Sequence, residues 1–303
     1  MRYYIFIVFS LSFLYSDCQN WNTPNLRMNN WDIDEEKGLI KNRVELLLFS
    51  EFTLYTAAIY SLDKLWYSDY PRSSFHFIND NGEWLQMDKL GHLTTSYYLG
   101  VAGIRSYRWS GMKEKNAIWY GGFTGSFFLS MIEYLDGKSA QWGASSGDLI
   151  ANTSGSLLAI FQQLKWKEQR ALLKFSYYPT KWAYRNPEQL GENSIQRILK
   201  DYNGQTYWIS LNLKSIFNID EDNFPAFLNL ALGYSGDGMI TPYPQEDSLR
   251  KRQYLLSLDI DLTRIKTNNK FLNNVLYAFG FIKFPMPALE INDGKFISHP
   301  IYL

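Results

Sequence analysis

Four apolar stretches, residues 46–62, 90–104, 117–132 and 149–161, constrain the first half of this chain more than any other feature. Each is rich in Ala, Gly, Ser and Leu and none alternates strictly, which predicts helices instead of strands. Small residues recur along them: Gly121, Gly122 and Gly125, then Ser154, Gly155 and Ser156. Such residues let helix backbones approach closely, as they do in membrane bundles. Every stretch is shorter than the roughly 20 residues of a full membrane span, and Glu51 interrupts the first. An up-down four-helix bundle, membrane-associated or membrane-embedded, accommodates both facts.

Beyond about residue 172 the texture changes. Residues 173–178, 207–213 and 254–262 alternate polar with apolar, the period of a strand. Asn203-Gly204 and Asp237-Gly238 are turn signals, and residues 271–282 read as one more helix, stopped by Pro285 and Pro287. The expected fold class is therefore α+β: the bundle, then a mostly antiparallel β region, either an open sheet or a small barrel. No parallel βαβ unit and no strand inside residues 90–162 is expected. The chain divides into an export signal (1–18), a polar lead-in (19–43), the helical bundle (44–168) and a β-rich region (169–303).

The export signal rests on Arg2, the apolar run 3–14 and the Ser16-Asp17-Cys18 cleavage region. Cys18 is the only cysteine, so the mature chain has neither a disulfide nor a cysteine-based metal site. Cys18 stands where a lipid could be attached, but Asp17 occupies a position that favours small residues, and cleavage after Cys18 is the preferred reading. The expected location is the cell envelope, periplasmic or associated with the outer membrane. Thirty basic residues balance thirty acidic ones, which excludes the electrostatic footprint of a nucleic-acid binder. Aromatic residues reach 17%, a level that fits a membrane interface, aromatic-rich strands or a heavily aromatic soluble core.

Charge is sorted along the helices. In an up-down arrangement Lys41, Arg43, Arg105, Arg108, Lys113, Lys115, Lys165, Lys167 and Arg170 gather at one end. The other end collects Asp63, Asp69, Asp80, Glu83, Asp88, Glu133, Asp136 and Asp148, against Lys64, Arg72, Lys89 and Lys138. The basic end of an inner-membrane protein faces the cytoplasm, whereas a cleaved signal puts this N-terminus outside. Either the signal is retained as an anchor, or the protein is not an ordinary inner-membrane one; a bundle resting its basic end on an anionic lipid face is the preferred reading.

Within the acidic end, Asp88 and His92 are four residues apart and share a helix face. A carboxylate beside an imidazole fixes its tautomer and supports general-base or ligand roles. The plainer alternative is that Asp88 complements the helix dipole and His92 packs as a polar residue. Ser145 or Ser146 can cap the fourth helix with Asp148 completing a capping box, and Asn152 lies one turn on. Convergence of three helix ends lifts these positions above background.

The strings Asp-Lys-x-x-His, Glu-x-x-Asp-Gly and Trp-Gly-x-Ser-x-x-Asp-x-x-x-Asn fall at Asp88, Lys89, His92, Glu133, Asp136, Gly137, Trp142, Gly143, Ser145, Asp148 and Asn152. This set resembles the family of predicted periplasmic lipoproteins of unknown function and is distantly similar to the VanZ-like membrane family. The resemblance covers roughly residues 85–165, and residues 200–208 look like longer members of the first family. It implies an envelope setting, with no established reaction. The Asp17-Cys18 pair departs from the lipoprotein pattern.

No Gly-x-Ser-x-Gly elbow, phosphate-binding loop or His-Glu-x-x-His helix occurs. His76, His92 and His299 lie far apart in sequence, and spacing alone demands no metal and no cofactor. The favoured reading is a non-catalytic, membrane-associated envelope component that contacts lipid or another envelope component, with a protein partner on the β-rich half. The alternative is binding or acid–base modification of a lipid-linked or cell-wall head group. Its binding set is Asp88, Lys89, His92, Glu133, Asp136, Trp142, Asp148 and Asn152, with His92, Asp88 and Glu133 as catalytic candidates. Whether the protein is an enzyme is left open.

Overall fold

The computed structural model describes residues 38–67, 70–221, 223–243 and 249–303; the export signal, Cys18, most of the polar lead-in and Asp69 lie outside them. The helical half contains α1 (Lys41–Leu62), α2 (Met87–Trp109), α3 (Glu114–Gly122), α4 (Thr124–Gly137) and α5 (Ser146–Trp166). The single third helix expected over residues 117–132 is in fact two. Gly121 and Gly122 have low helix propensity, and the Thr124 hydroxyl at the break bonds the carbonyls of Gly121 (2.8 Å) and Leu99 (3.0 Å). Nor is the segment 90–162 free of strand. β1 (Phe77–Ile78) and β2 (Ala144–Ser145) form a two-residue parallel pair, which ties the lead-in of α2 to the start of α5.

Close backbone approach holds the helices together. A Cβ on Gly155 of α5 would lie 2.1 Å from the Leu93 carbonyl oxygen of α2, and one on Gly121 would lie 2.3 Å from the Ile104 nitrogen. A methyl group at either position would wedge α2 away from its neighbours. Among the described residues no helix is long and apolar enough to cross a membrane. The arginines of the expected basic end are engaged inside the protein. Arg105 and Arg108 are buried, the first with its guanidinium 3.9 Å from the Tyr277 ring centroid and the second paired with Glu114. Arg170 donates to Glu168 (2.8 Å) and to the Ser215 carbonyl (2.7 Å).

The second half is a six-stranded antiparallel meander, β3 (Ala171–Tyr177), β4 (Gln205–Asn212), β5 (Leu228–Asp237), β6 (Lys251–Ile260), β7 (Met286–Asn292) and β8 (Lys295–Tyr302), in that spatial order. Between β6 and β7 lies α6 (Lys270–Ala278), close to the helix expected there. The sheet is strongly curled. Lys174 of β3 reaches across to Asp259 of β6 at 2.7 Å, and Thr206 of β4 lies 3.3 Å from the Tyr302 hydroxyl of β8. Residues 281–283 pair with the outer edge of β3 through Phe175 N–H to Phe281 O and Lys283 N–H to Phe175 O, both 2.9 Å.

The two halves meet along α2. Tyr98 donates its hydroxyl proton to the Leu173 carbonyl, and Leu173 shares a core with Tyr97, Val101 and Ile104. Just before α2, three successive non-glycine residues, Trp84, Leu85 and Gln86, have positive φ (43°, 51° and 65°). Such backbone costs on the order of 1–3 kcal/mol per residue and persists only where neighbours impose it. Here the sheet does so: Tyr234 donates to the Leu85 carbonyl (2.7 Å) and Arg252 to Gln86 Oε1 (2.9 Å). The β half thereby fixes where α2 begins, and with it the direction of Asp88, Lys89 and His92.

Candidate functional site

The first turns of α2 and α5 and the last turn of α4 converge, and the site they form has two parts. One is centred on Lys89. Its ammonium donates to Asp80 Oδ2 (2.5 Å), Asp88 Oδ2 (2.9 Å), Asp148 Oδ2 (3.2 Å) and Ser145 Oγ (3.4 Å). Burial would lower the Lys89 pKa, but the charges of Asp88 and Asp148 and the hydrogen bonds to Asp80 and Asp88 outweigh it and raise it. Burial likewise works against the Asp80 carboxylate, yet hydrogen bonds from Lys89 and Ser145 leave its pKa lowered. At Asp88 burial wins and the pKa is raised.

The second part is His92 with Glu133 and Asn152. His92 Nδ1 lies 3.0 Å from Asn152 Oδ1, and Nε2 lies 3.9 Å from Glu133 Oε1. An amide oxygen only accepts, so Nδ1 carries a proton and Nε2 is the ring nitrogen turned toward Glu133. The other Glu133 oxygen accepts the Ser145 N–H at 2.9 Å. This modifies the expected capping box. Ser145 caps α5 by accepting the Asp148 N–H (3.1 Å), but Glu133, not Asp148, takes the N–H of the cap residue. The Asp148 carboxylate is left to face Lys89 and His92.

The remaining residues of the expected set stand around this core. Asp136 accepts from the Tyr67 hydroxyl at 2.7 Å. Trp142 packs edge-on against Tyr67 and Tyr70, ring centroids 5.7 and 4.9 Å apart, in an aromatic wall and not among the carboxylates. His76 lies apart, 3.1 Å from the Ser74 carbonyl, and His299 pairs with Glu290 at 2.7 Å. Asp80 and Tyr67 are neighbours of the site that spacing did not single out. Asp80 carried a signal only as one of the acidic end's charges, and Tyr67 carried none.

Two buried polar atoms of the site, Asp88 Oδ1 and Asn152 Nδ2, have no hydrogen-bond partner among the described residues, and Asp148 Oδ1 has only the Lys89 ammonium, at 3.2 Å. Burial pushes Glu133 up to about 8 against the opposing Ser145 N–H, and Asp136 up to about 6 against the opposing Tyr67 hydroxyl. A carboxyl whose folded-state pKa exceeds its unfolded value binds protons more tightly when folded, so its contribution to stability falls as pH rises between the two values. The unfolding free energy, measured in chelator, is therefore expected to decline by a few kcal/mol between about pH 5 and 8. Glu133→Gln should flatten most of that slope in urea titrations at each pH. A wild-type stability that climbs over this interval would contradict the assignment.

The fold and site define an α+β protein whose helical half carries a carboxylate-rich, His-containing cluster at three helix ends. Residues 76–164 match the model of the family described as predicted periplasmic lipoprotein (DUF2279), and this segment contains every residue of the cluster. That description agrees with an exported cell-envelope location. Similarity to the VanZ-like family is not shown by this match. No curated protein and no solved structure matches the chain.

Proposed function

We propose that this protein serves the cell envelope as a membrane-associated binding component instead of a catalyst, and that its helical half holds a divalent cation between His92, Glu133 and Asp148. One observation carries the reading: an imidazole with Nδ1 engaged by Asn152 turns Nε2 toward Glu133 across 3.9 Å, with ligand atoms of His92, Glu133 and Asp148 all within 4.8 Å of one another. The gap is too wide for a hydrogen bond and of the right order for two ligands on one ion, since Zn–N and Zn–O bonds are roughly 2.0–2.2 Å. Asn152 and the Ser145 N–H serve as the outer partners that orient His92 and Glu133. The negative charge beyond what Lys89 balances gives the cation its electrostatic reason. One nitrogen and two carboxylates suit zinc or manganese better than calcium.

Isothermal titration of the full chain with Zn²⁺ tests this, with Mg²⁺ as comparator. One zinc per chain is expected, with affinity lower by at least roughly tenfold in His92→Ala and in Glu133→Gln, and folding checked by circular dichroism. Binding that survives both substitutions, or no binding at all, would exclude the site. Envelope function, followed as a phenotype, should be lost in His92→Ala at unchanged protein abundance. If it tracks folded abundance alone, the cluster acts only as a structural lock between helices.

A further inference from the structure

The curled sheet is built inside out. On β6, Tyr254, Leu256 and Leu258 are exposed while Leu255, Ser257 and Asp259 are buried, and on β7 Leu289 and Ile291 are exposed while Ala288, Glu290 and Asn292 are buried. On β4, Ile209 is exposed between the buried Trp208 and Ser210. In water the alternation runs the other way, apolar inward and polar outward. Here the concave side combines a small apolar cluster, Trp208, Ala231, Leu255 and Ala288, with a buried polar network: Asp259 is bonded to Lys174 (2.7 Å) and Ser210 (2.6 Å), Asn229 donates to Ser210 (2.8 Å), and Lys283 donates to Ser257 (3.1 Å). A sheet that sends its charges inward and its leucines outward is stable where the outer medium is hydrocarbon.

The outward residues stand in cross-strand rows. Ile209, Leu232, Leu256 and Leu289 are successive register partners, as are Tyr207, Tyr234, Tyr254 and Ile291. Between the tyrosine row and Leu258 the exposed face carries no charged side chain and no polar one, and it spans about 14 Å across four strands and about 14 Å along them. At the tyrosine border only Tyr254 is exposed; Tyr207 and Tyr234 pack against Leu85 and Met87 of the helical half, so the free part of the face begins beyond them, and Arg252, two residues beyond Tyr254 on β6, lies outside it. A protein-binding patch of this area needs hydrogen-bonding side chains, on the order of one bond per 100–200 Å², and this face offers none inside the tyrosine border. α5 adds an exposed apolar stripe of its own, Ile150, Leu157, Phe161 and Leu164.

We infer that the convex face of β4–β7 is a lipid-binding surface that seats in the acyl-chain region of a membrane leaflet. The outer edge of β8 has no strand partner among the described residues, and an unpaired edge does not cross a bilayer; the seating is therefore in one leaflet. Membrane contact thus falls to the sheet, whereas the charge pattern pointed to the basic end of the helices. This inference is independent of the cation site.

The test uses the full chain carrying Cys18→Ser, so that no lipid can be attached, floated with phosphatidylcholine vesicles. Neutral vesicles remove any contribution from basic residues. Wild-type surface should co-float, and Leu232→Arg with Leu256→Arg should reduce the bound fraction at least tenfold. In case the arginine variant misfolds, a second variant carries Leu256→Cys labelled with an environment-sensitive fluorophore. Its emission should shift blue on vesicles and be quenched by a nitroxide on the lipid chain, while a label at Lys295→Cys should respond less. Flotation unchanged by the arginines, absence of flotation, or a Leu256 label insensitive to vesicles would each overturn the proposal. So would self-association in buffer that the arginines abolish without any effect on vesicle binding, since a second copy would then be the occupant.

Discussion

Replacing Asp259 by Leu is expected to cost about 3–5 kcal/mol of stability. Asp259 is fully buried and ties β6 to three other segments at once. Oδ2 takes the Lys174 ammonium at 2.7 Å and the Ser210 hydroxyl at 2.6 Å; Oδ1 takes the Phe284 N–H at 3.1 Å and faces the Lys283 ammonium at 3.9 Å. Removing the anion strands two ammonium groups, Lys174 and Lys283, both essentially inaccessible to water. Lys174 keeps one acceptor, the Ile260 carbonyl at 2.8 Å. Lys283 keeps three: the Ser257 hydroxyl and the carbonyls of Leu258 and Phe284. Hydrogen bonds to neutral groups do not replace the lost counter-charge. The companion measurement is the triple variant Asp259→Leu, Lys174→Met, Lys283→Met, which removes the whole charge set. It should recover much of the loss in urea unfolding, because an apolar replacement of a complete buried ion set is often neutral or stabilising. A single variant as stable as wild type would mean that the sheet does not enclose this network.

Lys89→Met is the second large effect, with an expected loss of about 3–5 kcal/mol at neutral pH. The substitution leaves Asp80, Asp88 and Asp148 facing one another without the ammonium that now contacts all three. Their mutual repulsion raises their folded-state pKa values above those of the unfolded chain. By linkage the variant is then most stable at low pH and weakens as pH rises through that range, so acidification should narrow its deficit against wild type. Thermal melts at a series of pH values read this directly. Addition of Zn²⁺ or Mn²⁺ should also narrow the gap, because a cation can take the place of the ammonium among the three carboxylates, whose ligand atoms lie within 4.8 Å of one another. A deficit that widens on acidification would count against the Lys89-centred arrangement.

The division into a helical half and a β-rich half was legible in the residues because each secondary structure imposes its own period. Small, apolar, non-alternating stretches cannot form half-buried strands, and period-two segments cannot present one face from a helix. The start of α5 was legible for a local reason: a serine at 145 or 146 was expected to cap it, and Ser145 does. The break between α3 and α4 was not anticipated, because it depends on the Thr124 hydroxyl finding the Leu99 carbonyl of another helix. The candidate site was legible as charges at three helix ends. Its division into a Lys89-centred lock and a His92 group with spare valence was decided by tertiary structure. Glu133 reaches the Ser145 N–H from a different helix, and the positive-φ turn before α2 is held by Tyr234 and Arg252 of the sheet.

The sequence alone determined which residues alternate in the β half, but alternation does not say which of its two faces turns inward. A period of two is the same pattern read from either side. Only curling of the sheet, which brings Lys174 of β3 to Asp259 of β6, placed the polar row inside and the leucine row outside. Contacts between residues 85 positions apart cannot be read from spacing, because their energy exists only once the chain between them has folded.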